Sequence, residues 1–327
     1  MIRRVLGLAA AVITLAGSAG CGSPDSGPDG PASSADGGTT RVKVGIIPIV
    51  DVAPLYLGRK KGFFGDRGIE VEAVAAQGGA AIVPSVLIGQ FQFGFSNTTS
   101  LMIAQVKGVP VTSVANGAAS NGTVGADVTC VGVAKDSPVK SAKDLAGRTV
   151  AVNALHNIGD TTVREAVRAD GGDPSEVEFA EIPFDQMPAA LADGRVDAAW
   201  MGEPAQTIAK AQGARVIASP FAETDPALTV ATYFTSTKLQ QENPELVKDF
   251  SEAMTESLRY AAAHPDEARQ VLTEYTKISA EARENLILPA WPAEVDMASL
   301  EKLARLSEAD GLFGQEGEKL DLEALFG

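Results

Sequence analysis

The chain has 327 residues, a formal net charge of −15 at pH 7, two cysteines and two histidines. This acidity, with no basic run against it, argues against nucleic acid as a partner. So few cysteines and histidines favour neither an internal disulfide nor a transition-metal site. No motif predicts a bound cofactor.

The first 21 residues have the pattern of an export signal. Arg3 and Arg4 precede an apolar run from Val5 to Ala16, and small residues then lead to Cys21. These small residues resemble the end of a bacterial lipobox, in which the cysteine is lipidated and becomes the new N-terminus. The alternative is an ordinary cleaved signal that happens to be followed by a cysteine.

Residues 22–40 are Gly, Pro, Ser, Asp, Ala and Thr, with no large apolar side chain. Such a segment cannot bury enough surface to offset its chain entropy, so it predicts a flexible linker. A lipoprotein signal over 1–21 and this linker predict a protein that a lipid on Cys21 anchors to the outer face of the bacterial cytoplasmic membrane.

A βαβ unit is predicted next. Val42 to Ile49 is a nearly continuous apolar run, as in a strand buried on both faces of a parallel sheet. Pro54 suits the first turn of the following helix, and Ile69 to Val74 is predicted to be the next strand. The intervening loop, with Asp51 and Val52, follows the carboxyl end of the first strand, where open α/β sheets bind ligands.

Strands and helices continue to alternate along the chain. Up to residue 115 the pattern predicts four strands in a largely parallel sheet. A Gly- and Asn-rich stretch at 116–127 interrupts it, and a second α/β series follows. Beyond the first unit, strands are predicted at 91–95, 109–115, 128–134, 148–153, 177–182, 196–201, 215–218 and 229–236. Long helices are then predicted at 244–263, 265–276, 280–288 and 293–309.

Three segments resemble landmarks of one protein family. PLYLGRKKGFFGDRGIEVE, from Pro54 to Glu72, resembles the segment after the first strand in solute-binding proteins of ABC importers. The resemblance is to the nitrate, taurine, sulfonate and thiamine-pyrimidine group. DSPVKSAKDLAGRTVAV, from Asp136 to Val152, resembles a second landmark of this group. GRVDAAWMGEP, from Gly194 to Pro204, resembles a third, in which a tryptophan usually stands at the position of Gly202.

The resemblance implies a two-domain α/β fold of the type II periplasmic-binding-protein kind, with mixed or parallel sheets flanked by helices and a cleft between the domains. It implies that the late helices pack back onto the first domain. Domain I would then comprise 41–125 plus 230–327, and domain II 126–229. The chain would cross between them near residues 121–127 and 225–230.

The function implied is that of an extracytoplasmic, monomeric lipoprotein that captures a small organic solute and delivers it to ABC permease subunits. The candidate solutes are a taurine-like sulfonate, an aromatic carboxylate or a pyrimidine-like heterocycle, with nitrate as a further member of the group's ligands. The chain is not expected to be an enzyme.

The predicted solute-binding residues lie mainly in loops at strand ends. Backbone N–H groups at helix starts suit a polar oxygen, although the same residues also satisfy ordinary helix capping. Glu203 precedes Pro204, which predicts a non-helical residue in a loop outside the sheet core; the alternative is a helix-start acid. The predicted residues are Asp51, Val52, Ser96, Asn97, Thr98, Asn116, His156, Asn157, Asp160, Thr161, Trp200 and Glu203.

Two other functions stay open at this point. Ser96 lies between a predicted strand and a predicted helix, as the nucleophile of an exported hydrolase does. A binding-only sensor for a membrane receptor would have the same sequence features as a transport protein.

Overall fold

A computed structural model describes residues 34–35, 38–314 and 319–327. The predicted signal at 1–21, the lipidation site Cys21 and most of the predicted linker lie outside the described residues. Ser34–Ala35 (β1) pairs antiparallel with Thr39–Ile46 (β2), with Ser34 opposite Thr40. In addition, Thr40 N donates a hydrogen bond to Gly68 O at 2.7 Å. Backbone pairing therefore begins before Arg41.

The first sheet is mixed: the four strands predicted up to residue 115 run in one direction, and antiparallel strands join them. Its remaining strands are Ile69–Ala75 (β3), Phe93–Asn97 (β4), Val111–Ala119 (β5) and, from much later in the chain, Thr229–Ser236 (β11). The order is β1-β2-β4-β11-β5, with β3 beside β2. β2 is parallel to β3 and β4, whereas β11 is antiparallel to both β4 and β5. Strands β2, β3, β4 and β5 therefore run in one direction, and the returning strand β11 inserts antiparallel between β4 and β5.

The second sheet has the order β10-β6-β9-β7-β8. β7 is parallel to β8 and β9, and β6 is antiparallel to β9 and β10. The predicted α/β class with two mixed sheets is thus confirmed. Its strands are Thr129–Val133 (β6), Thr149–Val152 (β7), Glu178–Glu181 (β8), Ala198–Gly202 (β9) and Arg215–Ala218 (β10).

Helices flank both sheets. They are Ala53–Lys61 (α1), Gly79–Leu87 (α2), Thr98–Val106 (α3), Ile158–Ala169 (α4), Met187–Ala192 (α5), Ala205–Ala211 (α6), Pro220–Thr224 (α7), Thr237–Glu242 (α8), Pro244–Ala263 (α9), Pro265–Val271 (α10), Ala280–Glu284 (α11), Met297–Ala309 (α12) and Leu322–Phe326 (α13). Short 3₁₀ turns lie at Val50–Val52, Gly65–Arg67, Ala142–Leu145, Pro174–Glu176, Phe184–Gln186 and Leu272–Glu274.

Helix α9 packs on the first sheet. Asn243 caps its start by accepting a hydrogen bond from Leu246 N, and Pro244 fits the first turn. Its apolar face is buried, and Phe250 stacks on Phe93 of β4 with ring centroids 3.8 Å apart. The late part of the chain therefore shares a core with the first sheet.

Residues 285–296, between α11 and α12, form an extended segment that we call the strap. Helices were predicted over 280–288 and 293–309, but α11 ends at Glu284 and α12 begins only after Asp296 caps it. Ala290 of the strap forms a bridge with Ala119 at the end of β5. The buried Asn116 side chain donates to Pro292 O and Glu294 O, which holds the strap against the first sheet.

Two segments connect the sheets, one between β5 and β6 and one between α7 and β11. They lie side by side, because Ser120 N donates to Leu228 O at 2.9 Å. Buried Asp127 fixes the first segment by accepting from Ser120 Oγ at 2.6 Å, Asn121 N at 3.0 Å and Val128 N at 2.7 Å.

The described helices include none with the length and apolar character needed to cross a membrane. In the same part of the chain, histidine, cysteine, aspartate and glutamate side chains form no cluster of three or more that could hold a metal ion.

Candidate functional site

A small cavity lies between the two sheets at the ends of their strands. It has about 40 Å³ of space for the centre of a water molecule, which is room for only a few waters. The first sheet and its loops contribute Ile47, Ile49, Asp51, Phe95, Asn97, Val230 and Ala231. The second sheet and its loops contribute Thr129, Asn153, Ile158, Phe184, Trp200, Gly202 and Phe221.

Asp51 is the charged residue of this lining. It lies in the 3₁₀ turn after β2 and is 7% exposed. Its carbonyl oxygen accepts a hydrogen bond at 3.2 Å from Trp291 Nε1 of the strap, which fixes the turn. Burial raises the pKa of Asp51 to about 7, and the nearby carboxylates of Asp127 and Glu203 add to the rise. Near neutral pH this carboxyl group can therefore hold or release a proton.

Asn97 is the second predicted residue that lines the cavity. Its side chain caps α3, accepting from Ser100 N at 2.9 Å and donating to Ser100 Oγ at 2.9 Å. Its neighbours Ser96 and Thr98 are fully buried and are not among the lining residues. Thr98 Oγ1 donates to Thr229 O at 3.2 Å.

Ser96 does not have the environment of a nucleophile. Its hydroxyl donates to Asn97 O at 3.1 Å, and its described hydrogen bonds include none to a histidine. The start of α2 covers it, since a Cβ on Gly79 would lie 1.8 Å from Ser96 Oγ. A hydrolase with Ser96 as nucleophile is therefore not favoured.

Aromatic rings form the opposite wall. Trp200 of β9 is 3% exposed, and its ring centroid lies 5.4 Å from that of Phe184 and 5.7 Å from that of Phe221. The first turn of α4 covers the indole, since a Cβ on Gly159 would lie 3.0 Å from Trp200 Cε3. Trp200 Nε1 has no hydrogen-bond partner among the described residues.

Thr129 and Asn153 are polar lining residues that sequence reasoning missed. Thr129 sits opposite Gly202 in the β6–β9 pair, and its buried hydroxyl has no partner in the described part of the chain. Asn153 follows β7; its Nδ2 donates to Gln77 O at 3.3 Å, and its Oδ1 accepts from Asn157 Nδ2 at 3.0 Å. Thr129 lay in an apolar run that predicted only a buried strand, but a residue directly after a strand, such as Asn153, could have been included.

Glu203 is not among the lining residues and is fully buried. The expectation that its loop lies outside the core is wrong. Its carboxylate accepts from Thr207 Oγ1 at 2.8 Å, Thr207 N at 3.2 Å and Ile287 N at 3.1 Å. Burial raises its pKa, which these hydrogen bonds partly offset. Glu203 therefore makes structural contacts here.

The other predicted residues also lie outside the lining. Val52 and Asn116 are buried within the first-sheet region. Asn157 caps α4 by accepting from Gly159 N at 2.8 Å. His156, with φ 55°, is exposed, and its backbone N–H donates to the Asp160 carboxylate. Burial raises the pKa of Asp160 to about 6. Thr161 Oγ1 lies 3.2 Å from Ser307 Oγ of α12.

Known proteins resemble this chain in sequence and in fold. The riboflavin-binding protein RibY of Chloroflexus aurantiacus is 29% identical over 232 residues, covering 68% of this chain and 62% of the relative. The formylaminopyrimidine-binding protein of Halalkalibacterium halodurans is 25% identical over 144 residues, covering 44% of this chain and 41% of the relative. The chain thus matches less than two thirds of the length of either relative.

The ligand-binding component of an ABC-type import system from Staphylococcus aureus superposes with a TM-score of 0.75 at 13% identity. The match covers 88% of this chain and 96% of that structure, which establishes a shared periplasmic-binding-protein-like fold. A family model described as NMT1/THI5 like matches residues 49–268. The chain belongs to the NMT1/THI5-like family.

Proposed function

We propose that this chain is the solute-binding component of an ABC importer. It captures a small, planar, nitrogen-containing solute that is neutral or cationic, and presents it to permease subunits in the membrane. The cavity between the two sheets carries this proposal, because a carboxyl group lines one wall and aromatic rings line the other. Family membership and the shared fold support the transport role.

The charge of the lining favours a solute with N–H donors. Asp51 is the ionisable residue of the lining and is negatively charged when deprotonated, and the described lining residues include no lysine, arginine or histidine. An anion in this cavity would face a carboxylate without a compensating cation, and like charges at close range disfavour each other. A neutral or cationic N–H group would instead donate a charge-assisted hydrogen bond. Nitrate and simple sulfonates therefore fit this lining poorly, and a pyrimidine-like heterocycle fits it best.

The aromatic wall favours a flat solute. Phe184, Trp200 and Phe221 line one cavity, and aromatic rings pack well against other planar π-systems. The names of RibY and of the formylaminopyrimidine-binding protein point the same way, because riboflavin and formylaminopyrimidine both contain a nitrogen heterocycle.

Binding would close the protein around the solute. Pockets for organic ligands usually enclose roughly 300–1,000 Å³, far more than this cavity, so its walls must separate for a solute to enter. We propose that domain I (41–125 plus 230–327) and domain II (126–229) move about the two adjacent connections. A solute that touches both walls then stabilises the closed state. A lipid on Cys21 would keep this monomeric protein at the outer face of the membrane.

A binding screen tests the proposal. Calorimetry would compare 4-aminopyrimidine, thymine and riboflavin with benzoate, taurine, methanesulfonate and nitrate. We expect heterocycles to bind and the anions without N–H groups not to bind, and we expect Asp51→Asn to weaken the heterocycles by about tenfold or more. The control is Asp66→Asn, at an exposed position in the turn after α1. Saturable binding of nitrate or methanesulfonate that Asp51→Asn leaves unchanged would overturn the proposed solute class.

A further inference from the structure

We infer that Trp200 Nε1 and Thr129 Oγ1 together form a hydrogen-bonding subsite for an uncharged acceptor atom of the solute, such as a carbonyl oxygen or a ring nitrogen. We call this pair the acceptor subsite. The inference rests on the proposed function, and it adds a specificity element on the second-sheet wall.

The Trp200 indole N–H and the Thr129 hydroxyl are both buried and lack hydrogen-bond partners among the described residues. Trp200 is 3% exposed and Thr129 is 5% exposed. Neither the indole nitrogen nor the hydroxyl has a partner in the described part of the chain. Buried polar groups in folded proteins are nearly always hydrogen-bonded, and leaving one unpaired lowers stability. Of the buried groups without partners among the described residues, these two belong to residues that line the cavity, where a bound molecule would supply the missing partner.

The strand register brings the two groups together. In the antiparallel β6–β9 pair, Thr129 lies opposite Gly202, and Val131 lies opposite Trp200. Alternate residues of a strand share a face, so Thr129 and Trp200 project from the same face as diagonal neighbours. That face also lines the cavity.

Gly202 leaves space between them. A Cβ at this position would lie 3.8 Å from Thr129 Cγ2 and 3.9 Å from the Phe184 ring. A larger side chain would extend from there into the cavity. Without one, a solute can approach the β9 backbone between Thr129 and the Phe184 ring.

The indole is held in place before any solute arrives. The backbone of Gly159 covers one part of the ring, while Phe184 and Phe221 pack against it. Such preorganisation lowers the entropic cost of binding. An indole N–H can only donate, so this wall requires an acceptor, whereas an ionised Asp51 on the other wall requires a donor. A solute with a donor on one edge and an acceptor on another, as in aminopyrimidines and cyclic amides, meets both requirements.

The test compares two probes of nearly equal shape. 4-Aminopyrimidine carries an amino donor and ring-nitrogen acceptors, while aniline carries the same donor and no ring acceptor. We expect the parent protein to bind 4-aminopyrimidine at least about tenfold more tightly than aniline. Trp200→Phe and Thr129→Val should each reduce this preference by about threefold to tenfold, mainly by weakening 4-aminopyrimidine.

Thr224→Val is the matched control. Thr224 Oγ1 is also buried without a partner among the described residues, but Thr224 does not line the cavity. This variant should keep the parent's preference. A second readout is thermal unfolding without probe, where Thr129→Val should be at least as stable as the parent because it removes an unpaired buried hydroxyl. Lost preference with retained stability identifies a binding role.

The outcomes separate the two proposals. If Asp51→Asn weakens both probes while Trp200→Phe and Thr129→Val leave their ratio unchanged, the acceptor subsite is rejected and the proposed function stands. If the parent binds neither probe at millimolar concentration, the acceptor subsite is rejected. If nitrate or methanesulfonate binds instead, the proposed solute class fails as well.

Discussion

The Glu203 carboxylate accepts a hydrogen bond from the backbone N–H of Ile287 at 3.1 Å. Glu203 directly follows β9 of the second sheet, whereas Ile287 belongs to the strap. The Glu203 carbonyl oxygen also accepts from Val50 N at 3.3 Å, next to Asp51. The strap reaches Asp51 as well, through Trp291. Glu203 therefore connects the second sheet to both segments that position Asp51.

The first prediction concerns this connection. Glu203→Ala would leave the N–H groups of Thr207 and Ile287 buried without partners, so we expect it to lower the free energy of unfolding by about 1–3 kcal/mol or more. Glu203→Gln keeps one acceptor oxygen and should cost less. Urea denaturation of the three proteins measures the difference. Equal stability of Glu203→Ala and the parent would show that these hydrogen bonds contribute nothing.

The second prediction is a pH dependence of solute binding. Because the pKa of Asp51 is about 7, the carboxylate that accepts an N–H becomes the major form only above that pH. The affinity for 4-aminopyrimidine should therefore rise as the pH increases from about 6 to about 8. Asp51→Asn should bind more weakly and show little change over this range. Calorimetry at several pH values measures the affinity of each protein for 4-aminopyrimidine. An affinity that falls with rising pH in the parent would contradict the assignment of Asp51 as the acceptor of a solute N–H group.

The third prediction is a pH dependence of stability without solute. The pKa of Asp51 rises from 3.8 to about 7 on folding, so the folded protein binds this proton more tightly than the unfolded chain does. The stability that the protonated Asp51 carboxyl group contributes is complete below about pH 4 and is lost as the pH rises through about 7. Relative to Asp51→Asn, the parent should lose roughly 1–3 kcal/mol between about pH 5 and about pH 8. Parallel pH profiles of the two proteins would refute this.

Local sequence pattern predicted most of the secondary structure. The predicted bounds of β10, β11 and α9 match the structure, because apolar runs and helix-start prolines mark them clearly. The position of β11 between β4 and β5 was not predictable, since strand order depends on contacts between residues far apart in the chain. The two ends of the strap, residues 285–288 and 293–296, were predicted as helix because their spacing of apolar residues resembles a helical face.

The candidate site was only partly predictable, because it also depends on contacts between residues far apart in the chain. Asp51, Asn97 and Trp200 were predicted and line the cavity. Thr129 was missed because its role depends on the β6–β9 register, which places it diagonally to Trp200. Phe184 lies in a 3₁₀ turn and Phe221 in the short helix α7, and the sequence of neither segment carries a binding signal. Glu203 stands where the family landmark placed it, but the strap that buries its carboxylate could not be foreseen.

The fourth prediction concerns membrane attachment. The pattern from Arg3 to Cys21 predicts a lipid on Cys21. Cys21→Ser should therefore release the processed protein from the membrane fraction of a bacterial host that exports it. Fractionation with immunoblotting measures this, and Cys130→Ser is the control because Cys130 is a buried residue of β6. A Cys21→Ser protein that stays wholly membrane-bound would defeat the prediction.

The last prediction concerns movement at the two connections between the sheets. Gly122 has φ 75°, and a Cβ there would lie 2.9 Å from Pro226 O of the other connection. Gly125 has φ 84° in the same connection, but a Cβ there meets no atom within 4 Å. Both Gly→Ala changes impose left-handed backbone strain of roughly 1–2 kcal/mol, and only Gly122→Ala also pushes the connections apart.

We therefore expect Gly122→Ala to be less stable than Gly125→Ala, and we expect only Gly122→Ala to change closure. Small-angle X-ray scattering of the parent should show a smaller radius of gyration with saturating 4-aminopyrimidine than without it. Gly125→Ala should keep this compaction, whereas Gly122→Ala should reduce it, because the displaced connections can no longer adopt the closed spacing. Identical scattering of the parent with and without bound solute would show that the walls of the cavity do not move about these connections.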